Sequence, residues 1–304
     1  MSEKKHPILS VLIILGVIIL FLGAVMTIIL SFFGPSSNLS FGDKIGIIPI
    51  EGRIRDSEPI VSQLIKFKKD NRIKAIILRI NSPGGGVAPS QEIYREVRKT
   101  IKTKKVIASM GNLAASGGYY IAAATNKIVA NPGTLTGSIG VIMEFIQLQD
   151  FFKKVGVGLE VIASGEFKDI GSPHRKMTEQ ERDLLKGLIS DIQEQFVNAV
   201  VRGRDLSLEK VHEIADGRIF SGARAKELGL VDLLGNFQDA VDLAKKMTGI
   251  KGDVVLVYPE KAGLGVWDFI FQNASKAFHR AFININEVKT NIEYRWNGIS
   301  RLHN

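Results

Sequence analysis

The sequence predicts an α/β protein built around a mostly parallel sheet and preceded by a transmembrane helix. Three observations carry that expectation. Two apolar, strand-like runs, Arg72 to Ile80 and Val106 to Met110, each end in a glycine-rich turn. Each turn leads into a stretch of helical character, Ser90 to Thr100 and Tyr119 to Ala124, so strands and helices alternate as in βα units. Finally, Ile8 to Phe33 contains no charged residue, whereas about 20 residues suffice to cross a bilayer core.

In chain order, residues 1–34 read as a cytoplasmic stub and a membrane anchor. A cleavable signal has a shorter apolar core and a small-residue cleavage site, and neither is visible here, so the anchor is expected to be retained. Lys4 and Lys5 precede it and few compensating charges follow. The positive-inside rule then places the amino terminus in the cytoplasm and the remaining chain outside, as a single-pass protein of the cytoplasmic (inner) membrane. Residues 35–43 are a polar linker.

Residues 44–258 hold the globular domain. Lys44 to Ile50 reads as its first strand, Arg72 to Ile80 as a buried one, and Leu159 to Ala163 as a strand leading into a loop around Lys168. Thr178 with Glu181 three residues on forms a capping box, followed by Leu184, Leu185, Leu188, Ile192, Phe196 and Val200 at helical spacing. Ala223 to Leu228 is a helix stopped at Gly229, Asn236 caps a helix running to Thr248, and Asp253 to Tyr258 is a last strand. Residues 259–304 form an amphipathic helical tail, with Trp267, Ile270, Phe271, Ala274, Phe278 and Phe282 on one face. That face is read as packing on a neighbouring subunit, on the membrane surface or on its own domain.

Composition narrows the function classes. The chain has 304 residues and no cysteine, which excludes disulfides and thiolate metal sites. Its net charge is +9, but the basic residues are dispersed, which fits an anionic membrane surface and gives no nucleic-acid footprint. The glycine run Gly84 to Gly86 lacks the Gly-Lys-Ser/Thr of a phosphate loop and does not match the dinucleotide pattern.

The chemistry centres on Ser116 in Gly111-Asn112-Leu113-Ala114-Ala115-Ser116-Gly117-Gly118, at the bend between a strand and a helix. Small neighbours leave Oγ uncovered and the following glycines let the backbone approach a substrate carbonyl. A serine hydroxyl is a weak nucleophile and needs a base. Lys168, between Gly165 and Gly171 with Phe167 beside it, is one candidate, because desolvation disfavours an ammonium and makes the neutral amine available. His174 is the rival base, although beside Pro173 and Arg175 it reads as an exposed loop residue.

Four segments in order, Asn81-Ser82-Pro83-Gly84-Gly85-Gly86, the Ser116 segment, Thr134-Leu135-Thr136-Gly137-Ser138-Ile139-Gly140-Val141 and Ser164-Gly165-Glu166-Phe167-Lys168-Asp169-Ile170-Gly171, resemble the signal peptide peptidases of the SppA type in their short, single-unit form, within the ClpP/crotonase superfamily. The resemblance runs from about Gly46 to Gly249. It implies a fold of repeated β-β-α units around the sheet, Ser116 as nucleophile, Lys168 as general base and Ser138 as the residue that orients the lysine. It also implies an oxyanion hole made by the N–H of Gly117 and one from the Pro-Gly-Gly-Gly turn; Gly85 is favoured there, with Gly84 and Gly86 left open. No metal or cofactor is implied. The expected substrates are short apolar peptides such as remnant signal peptides, together with misfolded envelope proteins, and the expected assembly is a ring- or dome-shaped homo-oligomer. Two other classes stand beside this reading: a crotonase-like enzyme acting on acyl-CoA thioesters, and a catalytically silent membrane scaffold.

Overall fold

The computed structural model describes residues 7–33, 42–259 and 292–295. The chain divides into two units, Met1–Phe41 and Gly42–Asn304. The first contains helix α1 (Pro7–Phe33), whose described side chains run from Ile14 to Thr27. Among the described residues no helix is long and apolar enough to cross a membrane. That described stretch falls short of the roughly 20 residues a span requires, so the expected transmembrane helix rests on the sequence.

The second unit begins with β1 (Lys44–Glu51), α2 (Glu58–Lys69), β2 (Ile73–Ser82), β3 (Gly84–Gly86), α3 (Val87–Thr100), β4 (Lys105–Ala115) and α4 (Gly117–Ala123). It continues with β5 (Lys127–Ala130), β6 (Leu135–Gly137), β7 (Ile142–Met143), α5 (Gln149–Lys154), α6 (Glu179–Arg204), α7 (Leu208–Ile214), β8 (Ile219–Ser221) and α8 (Gly222–Glu227). β9 (Leu233–Leu234), α9 (Phe237–Thr248), β10 (Val255–Val257) and β11 (Ile292–Arg295) complete it. The main sheet has the order β10-β1-β2-β4-β5-β9, with β6 beside β4 and β8 beside β6. All of its pairings are parallel except β6 with β8. This is the mixed α/β, mostly parallel architecture that the sequence predicts.

Strands covered on both faces read as near-continuous apolar runs, and β2 shows why. Ile76, Leu78 and Ile80 join the larger core beneath α3, α4 and α6, whereas Ala75 and Ile77 meet Ala240, Val241 and Ala244 of α9 on the opposite face. The expected caps form. Thr178 and Glu181 exchange both bonds of a capping box at α6, Asn236 and Asp239 do the same at α9, and Gly229 follows α8 with φ +83°.

Two expectations need correction or restriction. Leu159 to Ala163 is not a strand: residues 157–163 have no regular structure, and all are exposed, with Ile162 at 95%. Strand-like composition alone cannot supply the neighbouring strand that must take up its backbone N–H and C=O groups. The helical face from Trp267 to Phe282 lies outside the described residues, and the described part of the tail, β11, is a strand. β11 stands between β3 and β7 in a separate antiparallel sheet.

Candidate active site

Ser116 occupies the junction between β4 and α4. Ala115 pairs with Gly137 of the parallel strand β6, and the Ser116 N–H donates to the Gly137 carbonyl at 2.8 Å. The serine has φ 53° and ψ −117°, a strained conformation for a residue with a Cβ, costing on the order of 1–3 kcal/mol. The sheet before it and the helix after it hold that geometry. Its side chain is fully buried and Oγ has no hydrogen-bond partner. Ser138, one residue beyond β6, also has positive φ, 49°, and its N–H donates to the Arg218 carbonyl at 2.8 Å. Pairing of β4 with β6 therefore brings Ser116 and Ser138 to the same end of adjacent strands.

The glycine turn reaches this end from β2. The Gly84 N–H donates to Ser82 Oγ at 3.1 Å, and that hydroxyl donates to the Gly52 carbonyl at 2.6 Å. The Gly86 N–H donates to the Ile54 carbonyl at 2.8 Å, and the Ile54 N–H donates to the Gly84 carbonyl at 2.9 Å. Successive N–H groups of an extended segment point to opposite sides. The Gly85 N–H consequently faces away from Ile54, towards Tyr294 of β11, its partner in register. A Cβ placed on Gly117 would lie 3.2 Å from the Gly85 nitrogen, so the backbone nitrogens of the two turns are near neighbours.

Two of these glycines are required sterically. Gly84 has φ +99°, and a Cβ there would lie 2.0 Å from the Tyr294 carbonyl oxygen and 2.7 Å from the Gly117 nitrogen. A Cβ on Gly85 would lie 2.1 Å from the Ile54 carbonyl oxygen. The same distances place the Tyr294 carbonyl oxygen among the N–H groups expected to serve as an oxyanion hole.

Lys168 stands apart. It is exposed, and its backbone N–H donates to the Gly165 carbonyl at 3.1 Å. Because Ser116 Oγ has no partner, the expected Ser116–Lys168 hydrogen bond is not formed within this chain. The lysine loop is instead tied to the start of α6 through Arg175. That guanidinium donates to Asp169 Oδ2 at 2.8 Å, to the Asp169 carbonyl at 3.0 Å and to Glu181 Oε2 at 2.9 Å. Its hydrogen bonds, followed by the Thr178 N–H, pull the Glu181 carboxyl down to about 2, and Arg175 holds Asp169 below its ordinary value. His174 belongs to this network as well, with Nδ1 2.7 Å from Ser172 Oγ and Nε2 3.8 Å from Asp169. The rival base is thus engaged away from Ser116.

Sequence reasoning missed Arg175, Ser82 and the β11 strand. Arg175 with Glu181 carried a faint signal, since an acid already placed in a capping box has a further oxygen to offer a nearby arginine. Nothing local marks Glu293-Tyr294-Arg295 as a partner of a turn so distant in the chain.

Comparison with known proteins bears on the chemistry. Residues 98–251 match Peptidase family S49 and residues 43–134 match Clp protease. "Putative protease slr0021" of Synechocystis sp. is 46% identical over 213 residues, covering 70% of this chain and 77% of that protein. "Putative protease MJ0651" of Methanocaldococcus jannaschii is 32% identical over 284 residues, covering 88% and 91%. "Putative signal peptide peptidase SppA" of Enterococcus faecium is 40% identical over 199 residues, covering 65% and 58%. With a buried serine on a strained turn beside converging backbone donors, the chain belongs to peptidase family S49 and is a serine peptidase.

Proposed function

We propose that this protein is a membrane-anchored endopeptidase that works by a Ser116/Lys168 dyad. The observation that carries the reading is the convergence of Ser116, Ser138, Gly85 and Gly117 at one end of the sheet, with a peptide carbonyl, that of Tyr294, lying among the glycine donors. Neutral Lys168, oriented by Ser138, takes the proton from Ser116 Oγ as it attacks the scissile carbonyl. The N–H groups of Gly85 and Gly117 stabilise the tetrahedral oxyanion. The lysine then protonates the leaving amine, and water releases the acyl-enzyme by the same route. A base that acts as a neutral amine gives activity that rises towards alkaline pH.

The lysine completes the site on assembly. Val155, Val157, Leu159, Val161, Ile162 and Phe167 are apolar and exposed on the segment that carries it, a pattern that fits contact with a neighbouring copy in a homo-oligomer. The anchor reading rests on the charge-free run Ile8 to Phe33 and on exposed side chains around helix α1, including Leu20 at 75% and Phe21 at 67%. A helix that is apolar all round suits lipid. With Lys4 and Lys5 inside, the catalytic unit lies outside the cytoplasmic membrane, where apolar peptides such as remnant signal peptides, and misfolded envelope proteins, are the substrates.

The test is hydrolysis of an apolar, signal-peptide-like fluorogenic peptide by the full chain in detergent, beside Ser116→Ala and Lys168→Ala. Both variants are expected to be inactive while folded and assembled. Full activity in Lys168→Ala would remove the lysine from the mechanism. A fluorophosphonate probe should label Ser116, which the acyl-CoA and scaffold readings do not predict.

A further inference from the structure

The net charge of +9 is not spread over the molecule. Residues 66–74, from the end of α2 into β2, hold five Lys and Arg and one acid, Asp70. Residues 98–105, from the end of α3 into β4, hold five more and no acid. Setting these aside from the chain's 40 Lys and Arg and 31 Asp and Glu leaves thirty of each, so the two turns carry the whole excess. The fold sets them side by side. β2 and β4 pair in parallel with Ala75 opposite Lys105, and the Lys104 ammonium donates to the Phe67, Asp70 and Ile73 carbonyls at 2.8, 2.5 and 2.6 Å. Basic residues in a last helical turn offset the helix dipole, but Lys102 and Lys105 lie beyond α3. Lys69, Lys102 and Lys105 are exposed and make no ion pair among the described residues. Asp43, Asp70 and Glu96 are already taken up, by Lys74, by Arg72 and by Lys68 with Lys99. The chain enters the catalytic unit on this same edge: β1, the first strand after the linker, begins at Lys44, opposite Ile73. Phe67 is the one aromatic residue of the two turns and is buried, so the edge offers no ring for a nucleic-acid base to stack on.

We propose that this amino-terminal edge of the sheet docks on the anionic phospholipid headgroups of the bilayer, with Lys69, Lys102 and Lys105 as its free charges, and so stands the catalytic unit with Ser116 away from the membrane. The inference rests on the membrane-anchored reading of the chain. A Lys or Arg near an anionic membrane surface strengthens docking about 5-fold, so three free lysines on one edge act on the order of 100-fold together. β4 runs from Lys105 on the edge to Ala115 beside Ser116, on the order of 30 Å at the rise of a strand. Docked this way, the unit offers its site to peptide that has left the bilayer, not to a segment still spanning it.

The chain has no cysteine, so one introduced cysteine carries one fluorophore: Thr103→Cys on the basic edge, or Asn112→Cys towards the far end of β4, both at exposed positions. The full chain is reconstituted into vesicles of phosphatidylcholine, alone or with phosphatidylglycerol, and energy transfer to a headgroup-labelled lipid is measured. Transfer from position 103 should exceed that from position 112, rise with phosphatidylglycerol and fall as salt screens the charges. Lys69→Gln, Lys102→Gln and Lys105→Gln combined should lower the docking equilibrium on the order of 100-fold with an unchanged thermal transition. Transfer at position 103 that ignores lipid charge and salt, or that is unmoved in the triple variant, would overturn the docking edge. Tighter binding of a duplex oligonucleotide than of the anionic vesicles would also overturn it and assign the edge to nucleic acid. Flotation of the vesicles separates the two levels. A chain that floats with neutral vesicles at high salt is anchored, whatever position 103 reports. One that floats only with anionic vesicles at low salt keeps the edge and loses the anchor, and one that floats with neither loses both.

Discussion

The two halves of the proposed dyad sit in contrasting surroundings. Ser116 is buried between β4 and α4 in a strained conformation that the parallel pairing with β6 and the following helix impose. Lys168 rides on a segment with exposed apolar residues, which is tethered by the Arg175 network and by the Leu148 N–H and Gln147 Nε2 donating to the Pro173 and Arg175 carbonyls. A strained residue needs a scaffold that over-determines it, and the sheet supplies that for Ser116 within one chain. An exposed apolar segment needs a second surface. If the proposed dyad is right, the contrast puts the step that completes it on the lysine side.

The largest effects test that contrast directly. Ser116→Ala and Lys168→Ala should each lower kcat by on the order of 10⁴ or more, because members of a catalytic unit act together. Mixing the two inactive variants and allowing subunits to exchange should restore part of the activity, since a site can then draw serine from one copy and lysine from another. A mixture that stays inactive after proven exchange places both groups in one chain and breaks the comparison.

Next in size is the glycine turn. Gly85→Ala would bring a Cβ to 2.1 Å from the Ile54 carbonyl oxygen, displacing a proposed oxyanion donor. Loss of one such donor costs about 10²–10³ in kcat. The thermal transition of the purified variant should fall as well, because the clash is with Ile54 backbone at a buried position and that backbone must shift. A large drop in thermal stability with modest loss of activity would make Gly85 structural.

Much of this architecture was legible in sequence because its physics is local. β2 and β4 announce themselves by β-branched runs ending in glycine turns, and Thr178, Asn236 and Gly229 mark helix ends through side chains or backbone freedom that act within a few residues. The bends at Ser116–Gly117 and at Gly84–Gly86 were equally readable, since glycine and small residues act locally, although Ser116 Oγ is buried where its small neighbours suggested exposure. What stayed hidden is non-local. Leu159 to Ala163 has strand composition without a strand partner. The alternation that turns the Gly85 N–H inward depends on Ile54 and Ser82 holding its neighbours, and β11 reaches the cleft from a part of the chain where the sequence suggested helix.

Ser138 should give a smaller effect than the glycine turn. Ser138→Ala is expected to lower kcat about 10-fold or more and to displace the alkaline limb of the pH–rate profile, because general-base efficiency follows the orientation and basicity of the base. Loss of rate with an unmoved profile would indicate that Ser138 shapes the β6 turn without touching the lysine.

The smallest effect concerns the tether of the lysine loop. Glu181 has its carboxyl lowered from 4.5 to about 2 by Arg175 first and by the Thr178 N–H second. A folded-state value below the unfolded one means that the carboxylate's contribution is fully present above pH 4.5 and fades as pH falls towards about 2. Over that window, limited proteolysis with an acid-active protease should cut with increasing ease near Lys168, ahead of cuts in the sheet core. Asp70 and Asp216 are also lowered to about 2 by their arginine neighbours and titrate over the same range, so the attribution needs a variant. Glu181→Gln should show easier cutting already at neutral pH and a flatter acid dependence, since its side chain keeps some hydrogen bonding but no charge for Arg175 to stabilise. An acid profile identical to wild type would detach the loop from this network and assign its order to contacts elsewhere.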